Sequence, residues 1–258
     1  MTTTTDSNVN HGIREHAICS ASGASRWLKC PGSIYLSSKA QQQPPGQYAI
    51  EGTKAHELAE EVLRLWVDGR LPEPDADEEA ALNAPNATMA DYVLKYVRLC
   101  QREANKLADV KYSVETKLDF DKNLCMFGTV DFLATGMRHK GFEGLIVDFK
   151  YGTGVVVKAQ GNPQVAYYAV ALWRASKRAL SSVRCIICQP RLADGVTEWT
   201  LRMDDLKAAE EEIKSAATKA LLQLAVGNPT YTAGDHCIFC PGKSICPEQE
   251  RIYGKKTM

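Results

Sequence analysis

The sequence predicts an α/β protein in which a mixed central sheet carries helices on its faces. Three observations lead there. Helical apolar spacing and two-residue alternation occur in separate stretches, each bounded by turn formers. Three strand-like stretches follow one another with only short polar turns between them, the pattern of an antiparallel meander. After them comes the order helix, two strands, helix, which extends the sheet and covers it. With 258 residues the chain can bury one substantial core plus a small appended module.

Residues 1–18 are polar and without periodicity, and are expected to stay mobile. Ser20, Ser22 and Ser25 offer caps for a short helix through Arg26-Trp27-Leu28-Lys29. That helix runs into Cys30-Pro31-Gly32-Ser33, where Pro and Gly predict a turn that leaves the Cys30 thiol at a helix end. After a Gln- and Pro-containing loop at 41–46, apolar residues at Ala55, Leu58, Ala59, Val62, Leu63 and Trp66 predict a helix, with Thr53 as its cap. His56 then falls in the first turn beside the apolar face, where a hydrogen-bonded core histidine is the commoner outcome than a ligand. Residues 69–87 form an acidic, Pro-containing connection, and helical spacing returns over 89–107.

Strands follow at 112–120 and 124–133, the second interrupted by Asp131, and then at 145–150. This third strand is apolar until Asp148 and Lys150, which the two-residue period puts on one face. Pro163 just inside a first turn marks a helix through Arg174, on which Gln164 and Tyr168 stand four apart and share a face. Strands at 182–190 and 196–201 and a long amphipathic helix over about 203–225 complete the expected fold. The organisation is one integrated domain: an N-terminal tail (1–18), a helical part with Cys30 and His56 (19–110), a core (111–226) and a cysteine-bearing segment (227–258).

Lys plus Arg (31) equals Asp plus Glu (31), so no global positive field points to a nucleic-acid coat, although a local basic groove stays open. The first residues lack the basic and apolar parts of a signal peptide and no apolar run approaches a membrane span, so a cytoplasmic protein with no membrane partner is expected. Nine cysteines are an odd count, unsuited to a complete disulfide framework. Cys19, Cys100, Cys125, Cys185 and Cys188 sit mostly among apolar residues and are expected to be small core residues. Cys237, Cys240 and Cys246 are different, because Cys-x2-Cys spacing lets two thiolates reach one centre and the Pro- and Gly-containing turn brings round a third. Either His236 or Cys30 can supply a fourth ligand, and spacing alone leaves zinc and an iron–sulfur cluster equally open.

Polar residues at otherwise apolar sites form the ordered series His56, Asp131, Asp148, Lys150, Gln164, Tyr168. They stand in Gly52-Thr53-Lys54-Ala55-His56, Gly128-Thr129-Val130-Asp131, Asp148-Phe149-Lys150 and Gln164-Val165-Ala166-Tyr167-Tyr168. The series resembles the PD-(D/E)XK nuclease superfamily in its RecB-like branch, specifically members with an iron–sulfur cluster such as CRISPR-associated RecB-like nucleases and the AddB nuclease domain. The resemblance covers residues 20–247, departing from the superfamily pattern in having Val130 where a proline often precedes the first Asp. It implies a restriction-endonuclease-like core in which a cysteine staple joins the N- and C-terminal segments. It implies a metal-dependent exonuclease acting on DNA ends in phage recombination or DNA processing. Asp131, Asp148, Lys150, Gln164 and Tyr168 would be its catalytic residues. His56, Asp131, Asp148 and the Phe149 carbonyl would hold Mg2+ or Mn2+, with Glu115 as a supporting candidate behind them. Cys30, Cys237, Cys240 and Cys246 would hold an iron–sulfur cluster of the 4Fe–4S type, with Zn2+ as the alternative. DNA is the implied partner, together with a single-strand annealing recombination protein by analogy with phage exonucleases. No Gly-x4-Gly-Lys-Ser/Thr sequence is present, so ATP-driven unwinding is not expected of this chain itself. The reading from a different class is a non-catalytic DNA-binding or adaptor protein with a structural zinc site.

Overall fold

The computed structural model describes residues 17–41, 44–69, 84–139 and 141–253. Most of the expected mobile tail and of the acidic connection at 69–87 lies outside these residues. Four helices come first: α1 (Ala24–Trp27), α2 (Gly32–Lys39), α3 (Gln47–Val67) and α4 (Ala87–Ala104). Strands β1 (Ala108–Asp121), β2 (Met126–Arg138) and β3 (Gly141–Phe149) follow, then α5 (Pro163–Ala175), β4 (Ser182–Cys188), β5 (Val196–Arg202) and α6 (Met203–Val226). Two 3-10 turns at Asp235–Cys237 and Lys243–Ile245 lead to α7 (Pro247–Tyr253).

The five strands form one sheet in the order β1-β2-β3-β4-β5. β1, β2 and β3 make the antiparallel meander, β3 pairs with β4 in parallel, and β5 returns antiparallel to β4. The single parallel pair exists because α5 carries the chain back across the sheet between β3 and β4, as parallel neighbours require. The fold class read from the sequence therefore holds: a mixed five-stranded sheet flanked by helices.

Each face of the sheet has its own core. On one face Trp27, Tyr167, Val170 and Ile213 cover Ile146, Val183, Cys185 and Ile187, so α1, α5 and α6 form that layer. On the other, Leu58, Val62, Val93, Tyr96 and Val97 from α3 and α4 cover Leu145, Val147, Phe149 and Ile186. In β3 the assignment alternates residue by residue, as two-sided burial demands. β1 and β2 behave otherwise. Val114 and Phe132 belong to the α3–α4 core, but Leu118, Phe120, Met126 and Val130, all at even positions too, belong to the opposite core. Both strands exchange faces between Val114 and Leu118 and between Val130 and Phe132, while the pairing Val114↔Phe132 and Thr116↔Val130 runs on without a shift. Glu115, with φ of +46° in the left-handed region, stands at that exchange, between the Val114↔Phe132 and Thr116↔Val130 pairs.

Buried ion pairs tie the layers to the sheet. Arg184 on β4 reaches Glu103 on α4 at 2.6 Å, with both side chains almost wholly buried. Glu210 on α6 collects Arg174 and Arg178 from α5 and its C-terminal end, and Lys214 one turn on. Among the described residues no helix is long and apolar enough to cross a membrane.

Four local expectations need correction. Helix α3 begins at Gln47, so Thr53 is interior and its Oγ1 donates to the Ala49 carbonyl at 3.0 Å. His56 accordingly sits in the middle of α3 rather than in its first turn. Ser20 does not cap α1 directly: Gly23 takes the N-cap, and Ser20 Oγ accepts from the Gly23 N–H at 3.2 Å. Cys125 is exposed, in the β1–β2 turn with φ of +49°, whereas Cys19, Cys100, Cys185 and Cys188 are buried as predicted.

Candidate active site and metal centre

The sheet ends in a group of charged side chains where β3 stops. Asp131 comes from β2, Asp148 and Phe149 from the end of β3, Lys150 from the next residue, Gln164 and Tyr168 from α5, and His56 from α3 across the sheet edge. Both layers thus contribute: His56 belongs to the α3–α4 side, and Gln164 and Tyr168 to the other.

Phe149 explains how His56 is placed. Its ring, fully buried, lies 5.1 Å from the His56 ring and stacks at 4.4 Å on Tyr96, whose hydroxyl donates to the Val147 carbonyl at 3.2 Å. His56 Nδ1 then meets Asp131 Oδ1 at 3.2 Å. Asp131 Oδ2 accepts the Phe149 backbone N–H at 2.7 Å. Phe149 therefore fixes both partners, through its ring and through its backbone.

On the other side Lys150 Nζ lies 2.9 Å from Asp148 Oδ2 and donates to Gln164 Oε1 at 3.0 Å. Gln164 Nε2 donates in turn to the Tyr168 hydroxyl at 3.2 Å. Asn162 starts α5 and aims Gln164, because its Oδ1 accepts from the backbone N–H groups of Gln164 and Val165. Gly128 makes room for Tyr168: a Cβ there would stand 2.7 Å from the Tyr168 ring and 2.7 Å from the Ala21 methyl.

The two carboxylates, Asp148 buried and Asp131 half-buried, are driven apart. Burial pushes Asp148 above the ordinary carboxylate range despite the Lys150 ammonium beside it. Burial acts on Asp131 as well, but the His56 hydrogen bond and charge, Lys150 and the Phe149 N–H hold it below that range. For His56 burial works against the charged form, and Asp131 outweighs it, so its pKa is raised. Burial likewise opposes the Lys150 ammonium, and Asp148 and Asp131 outweigh it to raise its pKa.

This donor set fits a hard divalent cation. It offers carboxylate oxygens and one imidazole, and Asp148 Oδ2, buried, has no aligned hydrogen-bond donor despite the short ion-pair contact with Lys150. Among the described residues, one set of three or more metal-ligating side chains has its donor atoms all within 4.8 Å of one another: His56, Glu115 and Asp131. The Glu115 carboxylate thus lies within 4.8 Å of the His56 and Asp131 donors, and Asp148 is not within that set.

The cysteines form a second group. Cys30, Cys237, Cys240, Cys246 and His236 line one cavity with Arg26, Ser33 and Lys243. Residues 230–232 run beside the Cys30 turn: Gly32 N–H donates to the Thr230 carbonyl at 3.2 Å, and Thr232 N–H points at Cys30 Sγ at 3.4 Å. Gly32 is required there, since a Cβ would lie 2.4 Å from the Thr230 carbonyl oxygen. His236 Nε2 is engaged with the Thr232 carbonyl at 2.8 Å. Burial raises the thiol pKa of Cys30 and of Cys240 in the chain alone. The thiols face a common space.

One feature outside the predicted residues supports the site. Gln189, buried just past β4, donates through Nε2 to the carbonyls of Gly152 and Val155 at 2.8 and 2.7 Å, and its Oε1 accepts from the Val157 N–H at 3.1 Å. It pins the segment that follows Lys150. A polar residue ending an apolar strand was its only sequence signal.

Residues 16–256 match the family model described as "Protein of unknown function (DUF2800)", and the chain belongs to that family. A solved structure titled "Crystal structure of SSO0001" is similar at 12% identity and a TM-score of 0.40, over 93% of this chain and 90% of that one.

Proposed function

We propose that this DUF2800 protein is a Mg2+- or Mn2+-dependent deoxyribonuclease of the RecB-like PD-(D/E)XK kind, acting as an exonuclease at DNA ends. The observation that carries the reading is the continuous chain from Asp148 through Lys150 and Gln164 to Tyr168, set beside the His56–Asp131 pair. A buried ion pair that served stability alone would not need an amide and a phenol aligned behind its ammonium.

Asp131, Asp148, His56 and the Phe149 carbonyl would hold the cation. When bound, the cation supplies Lewis acidity, lowering the pKa of water and neutralising charge on the scissile phosphate. Lys150, held between Asp148 and Gln164, orients the attacking water and stabilises the negative charge that grows on the phosphate oxygens. Tyr168 fixes the Gln164 amide so that its Oε1 faces the ammonium. His56 keeps Asp131 ionised and turned towards the site. Phage recombination or DNA processing, with a single-strand annealing protein as partner, is the setting this activity suits.

For the cysteine centre we propose a 4Fe–4S cluster on Cys30, Cys237, Cys240 and Cys246, supported by the convergence of these four thiols on one cavity. It would close a loop of about two hundred residues and act as a staple.

The test is digestion of end-labelled linear and circular DNA with and without Mg2+ or Mn2+. Cation-dependent loss of linear DNA, abolished in both Asp148→Ala and Lys150→Ala, is expected. Undiminished digestion by either variant overturns the mechanism. Anaerobic protein should be brown and contain iron and sulfide; a colourless protein with stoichiometric zinc and no DNA digestion would favour the adaptor reading.

A further inference from the structure

Arg191 stands in the tight loop between β4 and β5 and is not among the residues that carry the proposed chemistry. The loop is closed on itself. Gln189 N–H donates to the Gly195 carbonyl at 2.6 Å, Leu192 N–H to the Gln189 carbonyl at 3.0 Å, and Gly195 N–H to the Leu192 carbonyl at 3.2 Å. Gly195 has no room for a Cβ, which would collide with the Gln189 carbonyl. The Gln189 side chain in turn binds the Gly152 and Val155 carbonyls, so this loop and the segment after Lys150 form one rigid unit.

That unit sets Arg191 against aromatic rings that lead to the catalytic residues. Its guanidinium lies 4.7 Å from the centre of the Tyr151 ring and 6.0 Å from that of Tyr92. The Tyr151 ring is 6.1 Å from that of Phe149, which is 5.1 Å from the His56 ring. On its other side Arg191 Nη1 donates to Glu51 Oε1 at 3.4 Å. Glu51 precedes His56 on α3 by about 7.5 Å along the helix axis, roughly two nucleotide steps of a B-form strand.

The arginine is firmly placed and loosely engaged. A guanidinium whose face rests on an aromatic ring keeps its N–H groups at the edge, in the planar fork that matches two phosphate oxygens. Arg184 commits that fork to Glu103 at 2.6 Å, and Arg178 reaches both oxygens of Glu210 at 2.9 and 3.0 Å. Arg191 differs. Its side chain is 26% exposed, and among the described residues its one carboxylate contact runs through a single nitrogen to Glu51, itself 35% exposed. An ion pair so long and so open to water contributes little to folding. Lys95 brings a second cation to the same aromatic group, 4.8 Å from the centre of the Tyr92 ring.

We infer that Arg191 grips a backbone phosphate of the DNA strand about two nucleotides from the scissile bond, and that Glu51 occupies its fork until the strand arrives. The inference rests on the nuclease reading for the identity of the polymer, but its evidence is the geometry around Arg191 and it requires no cleavage. Arg191 in this role binds substrate away from the reacting atoms. Binding exchanges the Glu51 carboxylate for phosphate oxygens, so removing one partner of the ion pair weakens DNA binding and removing the other strengthens it. A pair kept for stability alone would give losses of the same sign in both cases.

The test is fluorescence anisotropy of a labelled DNA duplex with single-stranded tails, titrated with the full chain without divalent cation over a series of NaCl concentrations. Arg191→Met, which keeps the apolar stem and removes the charge, should weaken binding about tenfold at low salt. It should also flatten the slope of log K against log [NaCl] by about 0.7 to 0.9, the share of one phosphate contact. Glu51→Gln should bind more tightly than wild type, by about threefold, and decides the matter if Arg191→Met does not fold. The inference is overturned by wild type that binds no DNA, by Arg191→Met binding within twofold of wild type with an unchanged slope, or by Glu51→Gln binding no more tightly than wild type. Arg191-dependent binding without any digestion in Mg2+ or Mn2+ would leave the inference standing and remove the nuclease reading. Cation-dependent digestion with unchanged binding in both variants would do the reverse.

Discussion

His56, Asp131, Asp148 and Lys150 reach their places on or directly beside long elements whose other residues fill two apolar cores. Cys237, Cys240 and Cys246 reach theirs on a segment whose regular structure before α7 is two three-residue 3-10 turns, with Ile238 and Phe239 exposed between the thiols. In the first region every functional side chain has a protein partner. In the second, the segment is tied back by backbone hydrogen bonds along Cys30–Gly32, by the Gln223 side chain on Thr230, and by the packing of Tyr231 and Gly242 against α2. A charged site on rigid strands is preorganised by the chain; a thiol site on turns takes much of its order from what it binds.

Removing the bound group is the hardest way to press that difference. If the four thiols are joined through one centre, Cys30→Ser releases a closed loop of about two hundred residues, worth about 5 kcal/mol in chain entropy. Thermal unfolding should shift strongly downward, and limited proteolysis should cut first within residues 227–246. A Tm equal to wild type would mean that the cysteines hold nothing essential.

The converse experiment disables chemistry and spares the fold. Asp148→Ala should lower DNA digestion about a thousandfold, equivalent to about 4 kcal/mol in the barrier. Its Tm should fall far less than that of Cys30→Ser. Equal losses of stability in the two variants would erase the distinction.

Acid separates the regions by a third route. Burial opposes the charge on Glu103, but Lys106, Arg184 and Arg102 lower its pKa from 4.5 to about 2. Because the folded value is depressed, its stabilisation is present above pH 4.5 and is lost as pH falls towards 2; it amounts to about 3 kcal/mol. Glu103→Gln should remove that share at neutral pH and flatten the acid limb of the stability curve. Cys30 and Cys240 have thiol pKa values raised by burial, so metal or cluster binding must displace their protons and weakens as pH falls. In wild type the cysteine centre should therefore be lost at higher pH than the sheet, followed by visible absorbance and by circular dichroism respectively. Simultaneous loss would contradict the comparison.

The smallest expected effect lies at Gly128. Alanine there meets Tyr168 and Ala21 at 2.7 Å, an overpacking that costs about 1 kcal/mol. Digestion should fall about tenfold as Tyr168 moves and Gln164 loses its alignment, with little change in Tm. Normal turnover would show that Tyr168 is dispensable.

The parts of the fold carried by local signals were legible. Short turns between alternating stretches announced the meander, and Asn162-Pro163 announced α5. The start of α3 was not, because its N-cap, Gly46, makes no side-chain bond while Thr53 imitates a cap from inside the helix. Cys30 against His236 could not be decided by spacing, since proximity across two hundred residues is a property of packing. The exchange of faces in β1 and β2 was hidden for the same reason: alternation assigns each strand residue one face for its whole length, and here two strands change faces midway.

That change of faces also governs how the hairpin can assemble. In an ordinary antiparallel pair, a slip of two residues keeps every side chain on its proper side and is only weakly resisted. In β1 and β2 such a slip would carry the Glu115 crossing point away from Asp131 and bury apolar residues against the wrong layer on part of the strand. Register errors of even and odd length are both rejected, so the feature that gathers the carboxylates also proofreads the strand pairing.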